Sequence, residues 1–179
     1  YFRHYKKFPN LRSPQGVGEK IQWIKLYGNI EKYQKYVDKY EVRQFVTDCI
    51  GKKYLIDCID VYESVDKFDL SKLPDQFVLK GTHGSGYNII VKDKKEISEE
   101  SIKIQLKKWM SENFYDIGKE IQYKNIKPRF VCEKYLEDDS GELRDYKIFC
   151  FDGIPKFIQV DNGRMSNHTQ DFYDLNWNK

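Results

Sequence analysis

"FVLKGTHGSGYNII", residues Phe77 to Ile90, joins two apolar runs through a loop that carries Gly81, Gly84 and Gly86, with Lys80 at its lip. Apolar residues on both sides of a glycine-rich turn predict an antiparallel strand pair. The stretch is not a Walker-type P-loop, which needs Lys-Ser/Thr after the last glycine and then a helix; here Tyr87-Asn88 and a second strand follow. Two readings remain open at this point. One is a hairpin turn with a solvated lysine. The other is a loop whose glycines let the backbone approach a phosphate, its N–H groups forming an anion nest and Lys80 supplying a point charge.

Around this hairpin the chain divides into a helical start and a strand-rich end. "GEKIQWIKLYGNIEKYQKYVDKYEVRQFVTDCIGKKY" holds few helix breakers, and Val42, Phe45, Val46, Cys49 and Ile50 recur at the spacing of one buried helix face. Asp38 followed by Glu41 predicts a capped helix start, and Gly51 a stop. "KYLIDCIDVYES" reads as a short strand. Ser98 is expected to cap a second helix through Ile102, Leu106, Trp109 and Met110. "RFVCEKYLE", "DYKIFCFDG" and "IPKFIQVD" read as strands, the last two joined at Asp152-Gly153 by a hairpin. Helices first and mostly antiparallel strands afterwards predict an α+β fold.

The 179 residues carry 31 basic and 28 acidic groups, a net charge of +3, which argues against nucleic acid as a ligand. No apolar run approaches the roughly 20 residues that span a bilayer, and no signal-peptide pattern opens the chain. The 4 cysteines lie far apart without a CxxC pair, as reduced thiols of a cytoplasmic protein would. The ends at Tyr1 and Lys179 read as domain cuts.

Strand alternation puts Val131, Glu133 and Tyr135 on one side and Cys132, Lys134 and Leu136 on the other. A carboxylate inside an apolar run needs a donor, and a nucleotide edge would supply one to Glu133. In the next strand Asp145 and Lys147 share a face, either pairing with each other or lining a pocket mouth. Arg164, after the last strand, is a surface-loop residue or an anion clamp. His168 has no second ligand at metal spacing and is assigned no role. The "EDDSGE" carboxylates read as a solvated turn.

Taken together, "EKIQWIKLY", "VDKYEVRQFV", "LPDQFVLKGTHGSGYNII", "KPRFVCEKYLED", "DYKIFCFDGIPKFIQVD" and "FYDLNWN" resemble the TupA-like ATP-grasp family of teichuronopeptide and capsular polysaccharide biosynthesis, over nearly the whole chain. The resemblance implies ATP and Mg²⁺ as cofactors and a helical N-terminal region, 1–66, followed by two α+β subdomains at 67–127 and 128–179, the second incomplete. It implies that Lys80 and Lys39 hold the ATP phosphates and that Gly84, Ser85 and Gly86 close over them. Glu133, Lys134, Tyr135 and Leu136 would form the adenine hinge, with Asp145 on the ribose side and Lys147 beside it. Lys80, Lys147 and Arg164 are the candidate catalytic residues. The implied reaction is bacterial and cytoplasmic: an ATP-dependent carboxylate–amine ligation through an acylphosphate, joining an amino acid or amine to a uronic-acid-containing polysaccharide or precursor. A sugar phosphotransferase, a non-catalytic nucleotide- or glycan-binding module and a glycosyltransferase are the other classes considered. The family's metal ligands are expected beyond Lys179, so the chain is read as a fragment. Where relatives have Thr or Ser with Phe before "EK", this chain has Gly16, Val17 and Gly18, a loosely held segment by expectation.

Overall fold

The computed structural model describes residues 1–138, 143–163 and 167–179. They form two compact units, residues 1–135 and 136–179. The first opens with helices α1 (Phe2–Tyr5), α2 (Val17–Tyr27), α3 (Gln34–Val37) and α4 (Glu41–Ile50). Strands β1 (Cys58–Tyr62), β2 (Phe77–Gly81) and β3 (Asn88–Val91) follow, then α5 (Glu99–Ser111), α6 (Phe114–Gly118) and β4 (Phe130–Lys134). The four strands make one antiparallel sheet in the order β1-β4-β2-β3. The α+β expectation therefore holds. However, β4, expected to open the second subdomain, lies inside the first sheet, where it pairs on both edges with β1 and β2.

Alternation gives this sheet two faces. Phe77 and Leu79 pair with Lys134 and Cys132, and their side is buried against Ile102, Leu106 and Trp109 of α5. The helix presents these residues at the three-four spacing that the sequence predicts, and the Ser98 hydroxyl caps it by accepting the Ser101 N–H. The opposite face carries Val78 and Lys80, paired with Glu133 and Val131.

The expected buried face of α4 is not buried. Ile50 is 59% exposed and Phe45 40%, and Cys49 is exposed as well. Polar anchors orient this helix instead. Asp38 accepts the N–H groups of Tyr40 and Glu41 at its start, as expected, while the Glu41 side chain turns to Arg129 rather than back to the cap. One turn on, the Arg43 guanidinium reaches the sheet. The segment before α2 is also better tied than expected: the buried Glu19 carboxylate accepts the N–H groups of Asn10, Gln15 and Gly16.

The second unit is a three-stranded antiparallel sheet of β5 (Asp145–Phe151), β6 (Ile154–Asn162) and β7 (Thr169–Tyr173), in that order. Asp152 and Gly153 turn β5 into β6 with φ of +51° and +76°, the doubly left-handed hairpin that this dipeptide favours. A register shift at Phe149/Cys150 interrupts the pairing next to that turn. Strand β7 has no counterpart in the sequence reading.

Packing predicts a clear contrast along α5. Leu106→Ala, at a position with no exposed surface, is expected to lower the unfolding free energy by about 3 kcal/mol in urea denaturation. Ile104→Ala, at a position that is 60% exposed, should change it by less than about 0.5 kcal/mol.

Candidate functional site

The glycine loop follows β2 directly, and its first part is buried while Ser85 and Gly86 form an exposed tip. The glycines serve two different needs. A Cβ on Gly84 would stand 2.6 Å from the Tyr87 ring and 3.0 Å from Phe114, and one on Gly81 2.9 Å from Tyr87 Cβ. These two positions admit the Tyr87 ring, which stacks on Trp109 at 5.1 Å and donates its hydroxyl to Glu112 at 2.8 Å. Gly86, by contrast, has φ of +79° and open space around it. The tip thus has the left-handed conformation, and the base of the loop is packed solid.

Beneath the loop lies a cluster of charge. The Lys80 ammonium bonds one oxygen of Glu133 at 2.6 Å, and the Arg43 guanidinium bonds the other at 3.0 Å. Arg43 also donates to the Ile56 carbonyl at 2.6 Å. Glu133 is only 7% exposed, and its donors come from the protein itself. This corrects the expectation that a nucleotide edge is what satisfies it.

The Lys39 ammonium donates to the Gly81 carbonyl at 2.9 Å and to the Gly84 carbonyl. Burial lowers the Lys39 pKa, and the Lys80 ammonium lowers it further, against the opposing pull of Asp38 and Glu133. Arg43 and Lys80 therefore share the carboxylate of Glu133, and the Lys39 ammonium, bonded to loop carbonyls, adds a third positive charge at the base of the loop.

Lys134 and Tyr135 sit at the other end of the sheet, where with Asp57, Gln76 and Lys92 they help line an open cavity of about 760 Å³. Lys92 lies 5.9 Å from the centre of the Tyr135 ring. Leu136 begins the second unit.

Asp145 and Lys147 lie on β5. The Lys147 ammonium pairs with Asp161 on β6, a side chain with no exposed surface. Asp161 also accepts from Gln159 at 2.9 Å, Gln170 at 2.7 Å and His168 Nε2 at 3.1 Å. The Lys147 bond, joined by those from Gln170, Gln159 and His168, holds the Asp161 carboxyl well below the usual carboxylate range despite its burial. His168, given no role from the sequence, thus belongs to a built network whose centre the sequence reading missed. The available signal was Gln159 and Asp161, two polar residues that alternate with Ile158 and Val160 along β6 and need partners if buried. Arg164 lies outside the described residues.

The first unit thus brings together a glycine-rich hairpin, a lysine at its base and a carboxylate that faces that lysine from the neighbouring strand. The chain belongs to the TupA-like ATPgrasp family, whose model matches residues 19–179. No curated protein and no solved structure matches it. Membership brings an ATP-dependent, ligase-type function with nucleotide binding, and the use of a divalent metal ion in general. Among the described residues no group of three or more His, Cys, Asp or Glu side chains fits a metal, and no helix is long and apolar enough to cross a membrane. Among the described residues the three most enclosed carboxylates, Asp161, Asp38 and Glu133, already hold protein donors.

Two tests follow from the charge network. Glu133→Ala strands Arg43 and Lys80 beside Lys39 and is expected to destabilise the fold by about 3 kcal/mol in urea denaturation. Asp161 has a folded pKa below its unfolded value, so its stabilisation is complete above the unfolded value and lost as pH falls through the folded one. Between about pH 5 and about pH 2, Asp161→Asn is expected to lose less stability than wild type. Parallel curves would rule out the network.

Proposed function

We propose that this chain is part of an ATP-dependent carboxylate–amine ligase that works through an acylphosphate, joining an amino acid or amine to a uronic-acid-bearing polysaccharide or its precursor in the cytoplasm. Family membership supports the ATP-dependent class. The observation that carries the nucleotide assignment is the cluster of three cations, Lys39, Arg43 and Lys80, at the base of a glycine loop whose tip is exposed. Such a base favours a polyanion, and backbone N–H groups at Ser85 and Gly86 suit phosphate oxygens.

In this reading the triphosphate lies at the loop and Lys80 is its principal cation. The base lies at Lys134 and Tyr135, beside the cavity at the far end of β2. About five residues of strand separate the two ends, roughly 15 Å.

A carboxylate oxygen of the acceptor attacks the γ-phosphorus, the bond to the β-phosphate oxygen breaks, and ADP leaves. The amine then attacks the acyl carbon, the C–N bond forms, and phosphate departs as the nitrogen loses its proton. Positioned cations stabilise the charge that develops in the first step.

Isothermal titration of ATP into wild type and Lys80→Ala tests the nucleotide assignment. Arg43 keeps Glu133 paired in the variant, so it is expected to fold and to bind ATP at least about tenfold more weakly. Equal affinities would refute the assignment. Phosphate and ADP release from ATP with glucuronic acid, with and without added amino acids, separate ligation from phosphoryl transfer to a sugar: amine-dependent phosphate release is expected, whereas amine-independent ADP formation without free phosphate points to the phosphotransferase.

A further inference from the structure

Helix α2 turns its apolar residues outward. The line of the helix formed by Gly18, Gln22 and Lys25 is partly buried and holds it to the rest of the first unit. Gly18 admits the Tyr1 and Tyr5 rings, where a Cβ would stand 3.2 and 3.5 Å from them. The Lys25 ammonium donates to the Gly118 carbonyl of α6 at 3.0 Å, and the neighbouring Glu19 holds the segment before the helix. On the adjoining line Val17, Ile21 and Ile24 repeat the same spacing and are between 47% and 75% exposed. Lys20 stands beside them, and the Trp23 and Tyr27 rings, 5.7 Å apart and also exposed, widen the surface.

Charge is concentrated in the same part of the chain. Residues 1–37, to the end of α3, hold 8 basic and 2 acidic side chains, and one of the two acids, Glu19, is buried among its amide donors. The other 142 residues hold 23 basic and 26 acidic side chains. The whole positive excess of the chain thus lies in the segment that exposes the apolar stripe.

Together the stripe and the charge decide what covers this face. A second copy of the chain would set one cationic segment against another. Protein interfaces keep lysine out of their cores, whereas Lys20 stands within this stripe. A nucleic acid would pair with the cations and leave the isoleucines uncovered. An anionic bilayer satisfies both properties. Apolar side chains enter the acyl boundary, Trp and Tyr rings lie at the headgroups, and ammonium groups meet lipid phosphates. With 11 residues, α2 is about 16 Å long, enough to lie in the interface and too short to cross it.

We infer that the outer face of α2 docks the chain on an anionic membrane surface, with Val17, Ile21 and Ile24 entering the bilayer and the surrounding lysines on lipid headgroups. This docking does not rest on the nucleotide reading.

Cosedimentation of the chain with vesicles tests it, using phosphatidylcholine alone and phosphatidylcholine mixed in equal parts with phosphatidylglycerol. Wild type is expected to bind the anionic vesicles at least about tenfold more tightly than the neutral ones, and to lose most of that preference in high salt. Ile21→Ser/Ile24→Ser should bind the anionic vesicles at least about tenfold more weakly than wild type. Lys6→Gln/Lys7→Gln/Lys20→Gln should fall toward the neutral-vesicle level. All five positions are exposed, so both variants should keep the thermal midpoint of wild type. Wild type that ignores anionic vesicles, or a serine pair that binds them as wild type does, would overturn the inference. So would binding that is equal on the two vesicles and unchanged in the glutamine variant. Dimerisation in sedimentation equilibrium without vesicles, abolished by the serine pair, would give the face to a second copy and overturn it as well.

Discussion

One buried carboxylate organises the first unit. Glu133 draws Lys80 from 53 positions away and Arg43 from 90, so a strand, its neighbour and a helix before the sheet converge on two oxygens. Removing such a group from water carries a large penalty, which only close pairing offsets. The pairing also pins the register of β2 against β4. With Val78 opposite Glu133, a slip of one residue would carry the carboxylate to the face packed by Phe77 and Leu79. That alternative leaves a charge in the core with no cation in reach, so the ion pairs exclude it more firmly than the apolar contacts alone could.

The loop above this cluster combines two properties that glycine-rich loops are often assumed to trade against each other. Its base has no spare volume, because Gly81 and Gly84 are filled by the Tyr87 ring, itself fixed between Trp109 and Phe114. Its tip is open and left-handed at Gly86. Conformational freedom is therefore confined to about two residues, and the entropy lost when they close on a ligand is correspondingly small. A loop of this kind positions backbone donors rather than sweeping across a cleft.

What the sequence made legible was local. The alternation of β2, the Ser98 cap and the Asp152-Gly153 turn each rest on residues within a few positions of one another, and the structure has all three. The long-range polar contacts were not legible, since nothing in a single sequence ties Lys39 to two carbonyls past position 80 or Gln170 to Asp161. The face of α4 was misjudged for a related reason. Periodicity identifies which residues are apolar, whereas coverage depends on what the helix is anchored to, and here Asp38 and Arg43 are the anchors. Strand β7 escaped notice because "TQDFY" alternates too weakly and opens on polar residues. Among the candidate site residues, type and position were readable for Lys80 and Glu133, but their mutual pairing was not.

The two units share a design that bears on how their lysines work. Each sets a lysine on a buried carboxylate: Lys80 on Glu133, Lys147 on Asp161. A lysine held this way has no free charge to offer a phosphate unless its carboxylate keeps another partner after the lysine turns away. Both carboxylates have that reserve. Glu133 retains Arg43, and Asp161 retains Gln159, Gln170 and His168. Stranding a buried charge is the expensive outcome, far more so than exchanging one donor for another. The surplus of donors lowers the barrier to releasing each ammonium while the fold around it stays intact. A lysine paired with a carboxylate that had no second donor would be locked in place, and the same ion pair would then serve stability alone.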